Sequence, residues 1–169
     1  MVDLTDVAQV RRLFRTVRPR VVVNAAASRA DGLLVSHAPS IEGATLAIAL
    51  NVAQAAAEFH VEKFVQLASS MEYSPSNEPL SEVSVTEPIS ERGSAKLAAT
   101  RGVVAQCESA GVSVTVLHLF RVLGTGDRRA KLTSRILQAL ETGIPVPTPS
   151  RETRRDYVDV DDVVTACEL

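Results

Sequence analysis

The feature that most constrains this chain is the alternation of short, β-branched apolar runs with longer stretches of helical periodicity. "RVVVNAAAS" (20–28), "KFVQLASS" (63–70) and "VSVTVLHLF" (112–120) are apolar over most of their length. A continuous run such as the first suits a strand buried on both faces, as in parallel sheets covered by helices on either side. Helical spacing fills the intervals. Val7, Val10, Leu13, Phe14 and Val17 share one face over 6–16, with Asp6 or Thr5 as the cap and Pro19 as the stop. The Ala-rich stretch 41–60 reads as a second helix. Residues 93–109 read as a third, with Leu97, Val104 and Cys107 on one face and Gly111 just past its end. A fourth runs over 130–141, closed by Gly143 and Pro145. "RRDYVDVDDVVTACEL" (154–169) reads as a short strand leading into a helix with Asp161 or Asp162 near its start. The pattern predicts an α/β domain over 1–169: a parallel sheet of about four strands flanked by helices.

Composition narrows the function classes. A formal charge of −2 over 169 residues argues against a surface dedicated to nucleic acid or an anionic membrane. No apolar run reaches the length of a membrane span, and the first residues lack the basic-then-apolar pattern of a signal peptide. Cys107 and Cys167 have no CxxC or Cys/His partner spacing, so they read as reduced packing residues of a cytoplasmic protein.

In open parallel sheets ligands bind beyond the carboxyl ends of the strands. Here those ends are "NAAAS", "LASSMEY" and "LFRVLGTGD", small or polar residues that let a ligand approach backbone closely. Strand ends of any α/β protein have this character, so the feature alone assigns no site.

The order of segments says more. "VDLTD", "RPRVVVNAAA", "NVAQAA", "KFVQLASSMEY", "GSAKLAA", "FRVLGTGDR" and "RRDYVDVDDVV" together resemble an extended short-chain dehydrogenase/reductase, over essentially the whole chain. More narrowly they resemble the NAD-dependent epimerase/dehydratase family that acts on nucleotide-sugars. The resemblance implies a Rossmann-like fold, NAD or NADP as cofactor, and hydride transfer from a sugar carbon while a base takes the hydroxyl proton. Carried over by position, Asp3 and Leu4 match the pair that meets the cofactor's adenine, and Ala25, Ala26 and Ala27 the segment lining its ribose and pyrophosphate. Ser69 matches the residue that hydrogen-bonds the sugar's reacting hydroxyl. Lys96 matches the lysine that holds the nicotinamide ribose and lowers the pKa of the catalytic tyrosine. Arg155 and Asp156 sit where the family binds its substrate's nucleotide. Without the resemblance, Lys96 reads as a solvated helix lysine and Ser69 as a strand-end cap.

The departures decide how much function to expect. Four residues before Lys96, where the family has its proton-transferring tyrosine, stands Arg92. A guanidinium stays protonated at any working pH and cannot take that proton. Tyr73 is the only other tyrosine near the Ser69 strand end, and the family places a tyrosine there without giving it the proton. Thr45 and Arg121 stand where asparagines are usual. No G-x-x-G-x-x-G occurs, although the family opens on a glycine turn whose amides hold the pyrophosphate. The chain thus resembles a diverged middle portion of the family, without the N-terminal Gly-loop half. It is expected to bind NAD(P)(H) weakly and to be impaired; the alternative is a catalytically silent scaffold or partner subunit. Val21, Val22 and Val23 would then form an edge strand, covered by a second copy, by the chain's own displaced N-terminal segment or by a partner protein. His118 reads as a packing residue. Asp156, Asp159, Asp161 and Asp162 alternate between faces or start a helix, so they are not read as a metal site. "RETRR" (151–155) reads equally as a phosphate contact or a solvated loop.

Overall fold

A computed structural model describes residues 2–27, 40–125, 132–147 and 154–169. The readings made at Ser28, within 126–131 and within 148–153 lie outside the described residues. The chain divides into two compact units, Met1–His118 and Leu119–Leu169.

The first unit starts with helix α1 (Val7–Val17). The Asp6 carboxylate accepts hydrogen bonds from the Ala8 and Gln9 amides, which satisfies two of the donors a helix start leaves over. Arg18 takes a left-handed conformation (φ 50°) and donates its N–H to the Phe14 carbonyl, ending the helix just before Pro19. Then come β1 (Val21–Asn24), α2 (Ile41–Glu58), β2 (Lys63–Ser69), a 3-10 turn (Ser70–Glu72), α3 (Glu91–Ser109) and β3 (Ser113–Leu119). Ser40 and Ser90 cap α2 and α3 by accepting from the Gly43 and Gly93 amides. Helix α3 therefore begins two residues earlier than its apolar periodicity predicts, because the capping serine sets its start.

The strands form one sheet in the order β1-β2-β3. β1 and β2 run parallel, with Val22 opposite Phe64 and Asn24 opposite Gln66. Val10 and Phe14 of α1, Val52 and Ala56 of α2, and Val103 and Cys107 of α3 meet Phe64 in one core, with Val22 and Val114 packed against it. Val103 of α3 is fully buried, and Val104 only half-buried. All three helices thus feed the sheet face that carries Val22 and Phe64. Alternation turns Val21 and Val23 the other way, and they are 50% and 47% exposed. The reading of "RVVV" as a strand buried on both faces is corrected: apolar composition does not say how many faces receive helices.

The second unit contains β4 (Arg121–Leu123), α4 (Leu132–Thr142), β5 (Tyr157–Asp159) and α5 (Val160–Glu168). β4 and β5 form a parallel pair with Val122 opposite Val158, extended by the Arg121 amide donating to the Asp156 carbonyl. Gly143 (φ 71°) follows the end of α4, and Asp159 caps α5, with Asp161 and Asp162 in its first turn. The parallel α/β class stands. Three strands form one sheet and β4 and β5 a second, parallel pair, because the strand that carries the apolar run stops at Leu119 and the chain beyond Phe120 pairs with β5.

Gly93 is required by contact. A Cβ there would overlap the Met71 carbonyl oxygen and come within 2.9 Å of Pro88 Cβ. A backbone carbonyl cannot swing aside as a side-chain tip can. Gly93→Ala should therefore destabilise the fold by about 1–3 kcal/mol, the usual range for overpacking, measured by denaturant unfolding against Ala98→Gly as a control for helix propensity.

Candidate functional site

The carboxyl end of β2 supplies the centre of the site. The Ser69 side chain accepts from the Met71 amide (3.2 Å), opening the 3-10 turn. A hydroxyl also has a proton to donate, and among the described residues Ser69 spends it on no protein acceptor. Helix α3 packs against this turn, drawn close by Gly93, and carries Lys96 and Arg92. Lys96 is half-buried, and no described residue hydrogen-bonds or ion-pairs with its amine. Burial holds that ammonium below the usual lysine range; Glu72 pushes it back up and Arg92 pushes it further down. Arg92 itself is exposed. Arg92 thus disfavours the Lys96 ammonium across one helical turn, by less than burial does.

Glu72 was not singled out in the sequence. Its carboxylate is completely buried, although the pattern Ser69-x-x-Glu72 is the signature of a capping box. Glu72 Oε1 accepts from the Ser69 amide (3.0 Å) and from Thr100 Oγ1 (3.1 Å), and Oε2 lies 3.3 Å from His118 Nε2. The His118 ring packs on Tyr73, centroids 5.1 Å apart, as the packing reading expected, with the Glu72 contact in addition. Tyr73 is buried, and its phenol is raised by that burial and by Glu72 and Glu82, so it keeps its proton more firmly than a solvated tyrosine and the phenolate that could act as a base is less populated.

The segment after β1 is smaller and plainer. The Asn24 amide donates to Gln66 Oε1 (2.9 Å) in the core, and its carbonyl accepts from the Ala26 amide (3.2 Å). This fixes the start of Ala25–Ala27, which leaves the strand end with methyl side chains alone. Near the N-terminus, Asp3 accepts from the Thr5 amide (2.9 Å) and hydroxyl (2.7 Å). Leu4 packs against the core, and Asn51 on α2 holds the Leu4 and Thr5 carbonyls (3.1 and 3.0 Å). Thr45, where an asparagine was expected, donates its hydroxyl to the Ile41 carbonyl of its own helix.

Ser69, Lys96 and Arg92 therefore gather at the meeting of the β2 end and the α3 start, while Ala25–Ala27 follow the neighbouring strand. Arg155 and Asp156 belong to the second unit, where both are exposed: Arg155 bonds the Arg154 carbonyl (2.7 Å), and the Asp156 carbonyl accepts from Arg121. Cys107 and Cys167 are free thiols, and burial pushes Cys107 up to about 11. Among the described residues no cluster of His, Cys, Asp or Glu is placed to hold a metal ion, and no helix is long and apolar enough to cross a membrane.

A family model described as the NAD dependent epimerase/dehydratase family matches residues 1–169. No curated protein matches. Among solved structures, the chain is similar to a Thermus thermophilus UDP-glucose 4-epimerase in complex with NAD: 29% identity, TM-score 0.77, covering 98% of this chain and 57% of that one. A Thermotoga maritima UDP-glucose 4-epimerase with UDP-glucose superposes with TM-score 0.84 at 23% identity, covering 98% and 56%. The Bordetella bronchiseptica enzyme WbmG, in complex with NAD and UDP, gives TM-score 0.80 at 22% identity, covering 99% and 51%. The last two likenesses are of fold alone. The chain spans about half the length of each of these structures.

Proposed function

Because the chain belongs to the NAD dependent epimerase/dehydratase family, we propose that it carries the sugar-facing part of a nucleotide-sugar epimerase, dehydratase or reductase site. The observation that carries this reading is the meeting of the Ser69 turn with the helix that carries Lys96: among the described residues the Ser69 hydroxyl proton and the Lys96 amine have no protein partner. Ser69 would orient the reacting sugar hydroxyl, and Lys96 the ribose beside the nicotinamide. Arg155 and Asp156 would meet the substrate's nucleotide.

The residues present fit part of an NAD or NADP molecule. The three alanines leave room for a ribose at the end of β1, and Lys96 has donors to spare. The amides of a glycine turn, which would hold the pyrophosphate, do not occur in these 169 residues. When bound, NAD supplies a hydride acceptor for the sugar carbon. The proton that leaves with the hydride needs a base, and Arg92 cannot be one. That position favours a second reading: a chain that keeps the fold and the ligand-facing surface but is catalytically silent, a scaffold or partner subunit.

Among the described residues β1 lies at one edge of its sheet, and the outward Val21 and Val23 are half-exposed. Pairing of two copies along this edge would satisfy its backbone and cover these side chains.

Three measurements test the reading. Calorimetric titration of the 169-residue chain with NAD(H) and NADP(H) should find weak or undetectable binding; a micromolar or tighter dissociation constant would mean that other groups replace the glycine turn. With cofactor binding restored by an added glycine-turn segment, Arg92→Tyr should raise turnover on a panel of nucleotide-sugars by about 10²–10⁴-fold, the usual contribution of a general acid/base. An unchanged rate would favour the silent reading. Light scattering at micromolar concentration should give a mass above that of one chain, and a stable monomer with Val22 amide exchange as slow as the core would exclude pairing at β1.

A further inference from the structure

The buried Glu72 carboxylate joins three elements that otherwise meet only by packing: the Ser69 end of β2, Thr100 on α3 and His118 on β3. Its Oε2 and the Nε2 of His118 are both buried and both lack a hydrogen bond, yet they face each other at 3.3 Å. Two acceptors would not be left opposed in a buried site. A proton on Nε2 lets the imidazole donate to Oε2 and satisfies both atoms after a shift of a few tenths of an ångström, roughly the difference from an ordinary N–H···O distance. The Glu72 side chain is then held by three donors from three elements.

We propose that Glu72 is the positioning residue of the candidate site: with His118 opposite, its carboxylate clamps the Ser69 turn against α3 and so sets where the Ser69 hydroxyl stands relative to Lys96. The proposal rests on the reading of Ser69 and Lys96 given above and adds the group that places them. Glu72 touches no ligand, because it is completely enclosed. Its charge is felt by Lys96, where it opposes the effects of burial and of Arg92, and by Tyr73.

Two variants separate the clamp from its charge. Glu72→Gln keeps an acceptor for the Ser69 amide and Thr100 and removes the charge; Glu72→Ala removes both. The sequence has three lysines, Lys63, Lys96 and Lys131, so NMR titration of ¹³C-methylated lysines, assigned with Lys96→Arg, reads Lys96 directly and without any substrate. Glu72→Gln should lower the Lys96 midpoint and leave Lys63 unmoved. Glu72→Ala should speed exchange of the Ser69 amide by about tenfold or more, the factor associated with one net hydrogen bond, and Glu72→Gln should restore it to near the wild-type rate. An unmoved Lys96 midpoint in Glu72→Gln overturns the proposal whether or not the alanine variant folds, and so does wild-type Ser69 exchange in a folded Glu72→Ala. If nucleotide-sugars and NAD leave the Lys96 resonance untouched while both Glu72 effects appear, the functional reading fails and the clamp stands.

Discussion

The close approach of α3 to its neighbours is the constraint on which the rest of the first unit depends. At its start, Gly93 lets the helix lie directly on the Met71 carbonyl; six residues beyond Lys96, Gly102 lies against the Leu50 side chain of α2. Between these points the contact surfaces are built of small residues, among them Ala49, Ala53, Ala56 and Ala99. Small side chains bury modest area each, but they let helix backbones come near enough for dispersion to act over many atoms. The consequence is positional. Lys96 and Thr100 sit on a helix that cannot shift outward without opening the core around Val103 and Cys107, so the groups facing the β2 end inherit the rigidity of the core.

The electrostatics of the site follow from that packing. A lysine amine brought half out of water loses solvation, and its ammonium is disfavoured relative to a solvated lysine. A carboxylate buried nearby restores part of the charged form, and a second cation on the same helix face removes part of it again. The balance leaves Lys96 more easily deprotonated than a surface lysine. Where a tyrosine stands one turn earlier, such a lysine would favour the phenolate; here the same position holds a guanidinium that shares its charge sign. The packing of this corner is retained while the proton-accepting group is exchanged, which is why fold and chemistry need separate arguments in this chain.

Much was legible in the residues. The alternation of apolar runs with helical spacing points to a parallel α/β class, because a helix between two strands lets them run parallel and covers a face of the sheet. Asp6 announces a helix start through its acceptor side chain, and Gly111 and Gly143 sit just past helix ends in left-handed conformations. The motif "GSAKLAA" brings Lys96, and the residue four before it, to one helix face by periodicity alone. The exchange at Arg92 needs no coordinates to be seen, since its chemistry is that of the side chain itself.

Other properties belong to the tertiary structure. Whether β1 is covered on one face or two depends on where three helices pack, and no residue within "RVVV" records it. The break of the expected sheet at Phe120 turns on which partner the following backbone finds, a competition decided far along the chain at Tyr157–Asp159. Glu72 is the clearest case. As a sequence element, Ser69-x-x-Glu72 marks a short turn; that its second oxygen meets His118 and its first meets Thr100 depends on residues 28 and 46 positions away. Local propensity and side-chain chemistry were therefore determined by the sequence. Burial, and with it the charge balance around Lys96, was decided by packing, because desolvation is a property of what surrounds a group and not of the group itself.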